Sequence, residues 1–136
     1  YVTAYDKLAP LLRERVENVG GPTPQQWLEA YALAESCRVQ FDALFGVGLD
    51  VVLTPSSPGE APLGLHTTGD TIFNSMWTLL HGPNIGIPAG RGPKNLPVGV
   101  TLVGPRMSDS RLLSIAKALA SVIDTDEPAR LHELWS

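Results

Sequence analysis

An α/β layer fold is predicted for this 136-residue chain by three observations. Both flanks carry apolar residues every three or four positions, the period of an amphipathic helix. The middle, Gly46 to Arg106, holds eleven of the thirteen glycines and eight of the twelve prolines, which argues against a mostly helical segment. Within it lie short β-branched runs stopped by turn residues, the pattern of buried strands. The length suits one domain with a real core. Residues 1–136 are therefore read as a single domain: helical over 1–45, strand–helix–hairpin over 46–106, helix and tail over 107–136.

The first helix opens at Pro10, where the missing N–H is not needed, and runs through LLRERVENV to a stop at Gly20-Gly21. Thr23-Pro24-Gln25-Gln26 has the form of a capping box with proline in the first helical position. Behind it Trp27, Tyr31, Ala34, Cys37 or Arg38, Phe41 and Phe45 fall on one face, giving a long amphipathic helix ended by Gly46.

DVVLTP is a strand candidate stopped by proline. A helix is predicted over Asp70 to His81, with Ile72, Phe73, Met76, Trp77 and Leu80 on one side and Gly82-Pro83 as its terminator. NIGIPAG and LPVGVTLVG read as two strands joined through RGPKN in an antiparallel hairpin. In the second strand Val98, Val100 and Leu102 share one face, and Gly99, Thr101 and Val103 the other. Ser108-Asp109 are good capping residues for a last helix with Leu112, Leu113, Ile115, Ala116, Leu119, Ala120, Val122 and Ile123 as its stripe. Asp124 to Pro128 breaks it, and a polar tail follows. Three short strands make a thin sheet, so further strands are expected outside this chain.

Charge and composition narrow the function. Net charge is −4 and the ten basic residues are scattered, so nucleic acid is not an expected partner. No apolar run spans a membrane, and no export leader is visible at the start, so a cytoplasmic setting is expected. The chain starts at Tyr1 and is expected to be a piece of a longer one. Cys37, the single cysteine, is expected to be a buried, inert thiol. The three histidines are too far apart in sequence to suggest a metal site, and no cofactor is indicated.

The stretch TPSSPGEAP raises the one question of nucleophilic chemistry. A nucleophilic serine needs a base in reach and backbone N–H groups aimed at the oxyanion. Ser56 and Ser57 are flanked by Pro55 and Pro58, which lack N–H groups, and the G-x-S-x-G turn is absent. Only His66 among the available bases is near in sequence. Glu60 has no carboxylate partner for paired-acid chemistry, and GRGPKN lacks the G-K-[ST] ending of a phosphate loop. Phe73 and Trp77, one turn apart, are either core residues or the wall of a pocket beside Gly/Pro-rich loops.

The ordered set D-V-V-L-T-P, S-P-G-E-A-P, G-D-T-I-F-N-S-M-W-T-L-L-H-G-P-N-I-G-I-P-A-G and L-P-V-G-V-T-L-V-G-P resembles the C-terminal portion of the amidase signature family, from Ala4 to Ile123. The resemblance implies the C-terminal part of a three-layer α/β/α fold with a mixed sheet. It implies hydrolysis of a small-molecule carboxamide by a serine nucleophile, a second serine in a cis peptide, and a lysine. That set belongs to a glycine- and serine-rich loop and an earlier strand, which nothing here matches. Catalytic residues are therefore expected to be none in this chain, Ser56 and Ser57 included, and the isolated chain to be inactive. The loop after Pro55 and the helix with Phe73, Asn74 and Trp77 correspond to the family's substrate side, so these three are the expected substrate-binding residues. F-N-x-x-W-T-L-L is more similar to free-standing amidases than to the corresponding subunit of the tRNA-dependent amidotransferases. The expected partners are a small-molecule amide and further copies of the protein (a homo-oligomer). Two other readings stay open: a non-catalytic ligand- or partner-binding module, and a small serine hydrolase built on Ser57 and His66.

Overall fold

The computed structural model describes residues 2–18, 20–46 and 48–123. The expected break at Asp124 to Pro128 and the polar tail lie outside them. The elements in order are a 3-10 helix (Val2–Lys7), α1 (Pro10–Glu17), α2 (Pro24–Leu44), β1 (Val52–Pro55), α3 (Ser75–Leu80), β2 (Asn84–Arg91), β3 (Pro97–Val103) and α4 (Asp109–Ala120). The chain divides into two compact units, Tyr1–Glu35 and Ser36–Ser136, and α2 contributes residues to both.

In the first unit, α1 begins at Pro10 as its chemistry requires. It ends sooner than expected, because Asn18 takes the left-handed conformation (φ 50°) and its carbonyl accepts from Gly21 N–H. No residue of α1 is buried. Arg13 holds the preceding turn, donating to the carbonyls of Leu8 and Asp6 with its guanidinium over the Tyr5 ring. The capping box before α2 is complete: Gln26 N–H donates to Thr23 Oγ1 at 3.2 Å, and the Gln26 side chain accepts from Thr23 N–H at 2.8 Å. Trp27 and Tyr31 stack on each other, yet both are exposed.

The second unit contains the sheet, in the order β1-β3-β2 with both pairings antiparallel. The α/β class is found, and the described strands form an antiparallel sheet. Central β3 alternates as its sequence demands. Leu102 packs with Ile87, Leu112 and Ala116 beneath α4, with Ile85 and Val100 beside them. One residue on, Val103 faces the opposite way and packs with Trp77 and Leu80 of α3, joined by Cys37 and Phe41 of α2. Helices therefore cover both faces of the sheet, which makes three layers. Cys37 is half-buried against this second cluster rather than enclosed.

Pro88 is tolerated in β2, which is an edge among the described strands, and the ladder shifts register between Pro88 and Gly90. The helix expected over 70–81 is reduced to Ser75–Leu80. Asp70 does not cap it. Its carboxylate accepts from Ile72 N–H, and a turn then closes from Asn74 and Ser75 N–H to the Thr71 carbonyl. Ser108 likewise precedes α4 without capping it by its side chain. Its hydroxyl turns back to the Pro105 carbonyl at 2.6 Å.

Candidate functional site

The residues at the C-terminal end of β1 form a small polar knot. Ser56 N–H donates to the Gly99 carbonyl at 3.0 Å, extending the β1–β3 ladder by one step. Its Oγ lies 2.8 Å from Oγ1 of buried Thr101, and its carbonyl accepts from the Asn74 side-chain amide at 3.0 Å. Gly99 leaves room for this contact. A Cβ there would stand 3.0 Å from the Ile87 carbonyl oxygen and 3.3 Å from Ser56 Oγ. The Ser57 hydroxyl donates to the Gly59 carbonyl at 2.6 Å. Among the described residues no lysine or histidine is hydrogen-bonded to either serine. With their hydroxyls spent on Thr101 and Gly59, both shape the loop.

The three residues expected on the substrate side stand in different surroundings. Asn74 is exposed and clamps α3 to the loop through Ser56. Phe73 is half-buried. Trp77 is buried in the core, its ring 5.8 Å from that of Phe41, and its indole Nε1 has no hydrogen-bond partner among the described residues. The structure thus joins Asn74 to the TPSSPGEAP loop and seats Trp77 behind the helix.

Three contributors escaped the sequence reading. Thr101 was placed on a strand face, but nothing in its neighbours names Ser56 as its partner. Glu60 was weighed only for a carboxylate partner, and the backbone amides that it meets lie on the hairpin, 34 and 36 residues away. Arg38 could have been suspected as a cation on an apolar face. It is buried, with Nε donating to the Leu79 carbonyl at 2.8 Å and Nη2 lying 3.2 Å from His81 Nε2. Arginine only donates, so in this contact His81 Nε2 is the acceptor. Arg38 therefore serves a carbonyl left open at the C-terminal end of α3.

A cleft of about 630 Å³ lies elsewhere, lined by Asp42, His81, Gly82, Pro83, Arg106, Met107 and Asp109. None of Phe73, Asn74 and Trp77 lines it. Among the described residues no group of three histidine, cysteine or acidic side chains is placed to hold a metal ion. No described helix is long and apolar enough to cross a membrane.

Comparison with known proteins gives this geometry a context. A family model described as Amidase matches residues 5–113. A glutamyl-tRNA(Gln) amidotransferase subunit of Mesorhizobium japonicum is 27% identical over 115 residues, covering 76% of this chain and 22% of that protein. Its namesake from Dinoroseobacter shibae is 37% identical over 87 residues, 58% of this chain and 18% of that one. The chain thus spans roughly a fifth of the length of these curated relatives. A crystal structure of an amidase shares the fold with a TM-score of 0.72 at 23% identity, over 86% of this chain and 29% of that chain.

Proposed function

We propose, since this chain belongs to the amidase family, that it is the C-terminal, substrate-side part of an enzyme hydrolysing the carboxamide bond of a small molecule. The observation that carries the reading is the family match across residues 5–113, which takes in every described strand and the start of α4. In the complete enzyme a serine hydroxyl would attack the amide carbon while a second serine passes its proton to a neutral lysine. Backbone N–H groups would hold the oxyanion. The amine or ammonia leaves, and water then releases the acid from the acyl-enzyme. Ser56 and Ser57 are engaged with Thr101 and Gly59 rather than with a base. We therefore assign the serine–serine–lysine set to the part of the protein outside this chain.

Phe73, Asn74 and Trp77 are assigned to the substrate side. Asn74 would fix the loop that follows β1, Phe73 would present its partly exposed ring, and Trp77 would support the helix from the core. The enzyme is read as a cytoplasmic homo-oligomer.

A second reading has the names of the relatives in its favour: the chain would be part of an amidotransferase. The F-N-S-M-W-T-L-L segment supports the first. Expression of the complete reading frame separates them. Ammonia release from small carboxamides by that protein alone supports the free-standing amidase, and activity only with tRNA and partner proteins supports the other. The 136-residue chain by itself is expected to release no ammonia and to take no fluorophosphonate label. Labelling of Ser56 or Ser57 would overturn the assignment.

A further inference from the structure

From Ser57 to Ile72 the chain forms a strap in which every residue is exposed except Glu60. Leu63 and Leu65 stand 92% and 101% exposed. Apart from those of Glu60, the hydrogen bonds made within this strap are local: Ser57 to Gly59, Gly69 to Thr67, Ile72 to Asp70. Thr71 accepts from Asn74 and Ser75 just past the strap's end, and Glu60 is the strap residue that reaches the tip of the β2–β3 hairpin. Its Oε1 accepts from Lys94 N–H at 2.8 Å and from Leu96 N–H at 3.0 Å.

The backbone N–H donors from Gly92 to Pro97 form a closed inventory. Gly92 N–H donates to the Leu96 carbonyl and Asn95 N–H to the Gly92 carbonyl, while Pro93 and Pro97 have no N–H to give. Lys94 and Leu96 hold the two amides left over, and both point at one carboxylate oxygen. The Glu60 side chain also lies against the hairpin backbone. A Cβ on Gly92 would stand 2.4 Å from Glu60 Cγ and 2.5 Å from Oε1. A methyl here would push the Glu60 side chain off its place on the tip. The hairpin that the sequence offered as a poor phosphate loop is a receptor for a carboxylate carried by the chain itself.

We propose that Glu60 is a positioning residue, a latch that sets the strap of the substrate-side loop on the β2–β3 hairpin. The proposal rests on the substrate-side reading above. Its mechanism is geometric. Ser56 and Asn74 tether the two ends of the segment beside β1, and Glu60 supplies the third point that defines where the strap stands. Without it, the strap carrying Leu63 and Leu65 has no bond to the sheet between those ends.

The test uses the full 136-residue chain, with hydrogen exchange at the Lys94 and Leu96 amides and limited proteolysis within 57–72. Glu60→Ala is expected to speed exchange at both amides and cleavage of the strap by about tenfold or more, with the core amides of β3 unchanged. Glu60→Gln keeps an acceptor oxygen and is expected to restore most of the protection. Gly92→Ala should release the strap as Glu60→Ala does. In the Glu60→Ala background the same substitution should add little, because the atoms it strikes are gone. Unchanged exchange and cleavage in Glu60→Ala, or additive effects in the double variant, overturn the latch. In the complete enzyme, Glu60→Ala is then expected to raise KM with Glu60→Gln near wild type. A released strap with unaltered KM would instead sink the substrate-side reading and leave the latch standing.

Discussion

Asp42 and Arg106 are joined twice, Arg106 N–H to Asp42 Oδ1 at 2.9 Å and Arg106 Nε to Oδ2 at 2.7 Å. The pair fastens the last turn of α2 to the loop between β3 and α4. Burial pushes the Asp42 carboxyl upward, but the backbone N–H, the guanidinium hydrogen bond and its charge together outweigh this and hold it below its ordinary value of 3.8. A depressed carboxyl stabilises fully above its unfolded value, and the gain is lost as pH falls through 3.8 toward the lower folded value. Asp42→Asn is expected to cost about 1–2 kcal/mol near neutrality. That cost should shrink in acid below the ordinary value. Urea midpoints measured down the pH scale check this, and a gap that stays constant contradicts it.

Neighbouring leucines on α4 provide an internal control. Leu112 is 1% exposed in the cluster beneath the helix, while Leu113 is 61% exposed. Leu112→Ala is expected to lose about 2–5 kcal/mol of stability. Leu113→Ala should stay within about 0.5 kcal/mol of the parent. Denaturation curves for the pair decide whether α4 packs on the sheet as described.

The Ser56–Thr101 contact should behave as a coupled unit. Thr101→Val keeps the shape and removes the hydroxyl, leaving Ser56 Oγ without its partner, at a cost of about 1 kcal/mol. Ser56→Ala should cost a similar amount. The double variant should fall well short of the sum, and strict additivity would mean that the 2.8 Å contact carries no energy.

Thr23 begins α2 with a reciprocal pair of bonds to Gln26. Thr23→Ala is expected to destabilise the helix start by about 1 kcal/mol, and Thr23→Asp to recover most of that. Amide exchange at Gln26, whose N–H donates to Thr23, is the direct readout.

Legibility followed the range of the interaction. The Thr23–Gln26 box, Pro10 at the start of α1 and the two faces of β3 were readable because donor, acceptor or partner lies within a few positions or on a fixed period. The helix over 70–81 was overdrawn for the same reason. Apolar spacing continues back to Ile72, but the Asp70 carboxylate and the Thr71 carbonyl stabilise turns there instead. Of the candidate site, the TPSSPGEAP loop and Asn74 were legible as neighbours by family resemblance. The bond that joins them was not, since eighteen residues separate its ends.

By itself the sequence determined the class of fold, the strands and where most of the helices lie, and it set prolines beside Ser56 and Ser57 that supply no N–H groups. Tertiary structure alone decided what each polar group faces. Nothing along the chain names the two backbone amides that the hairpin brings to one oxygen of Glu60. Trp77 could be core or pocket until Val103 and Phe41 close around it. Propensity and period act along the chain, whereas hydrogen bonds and packing are settled by distance in space, which no local pattern encodes.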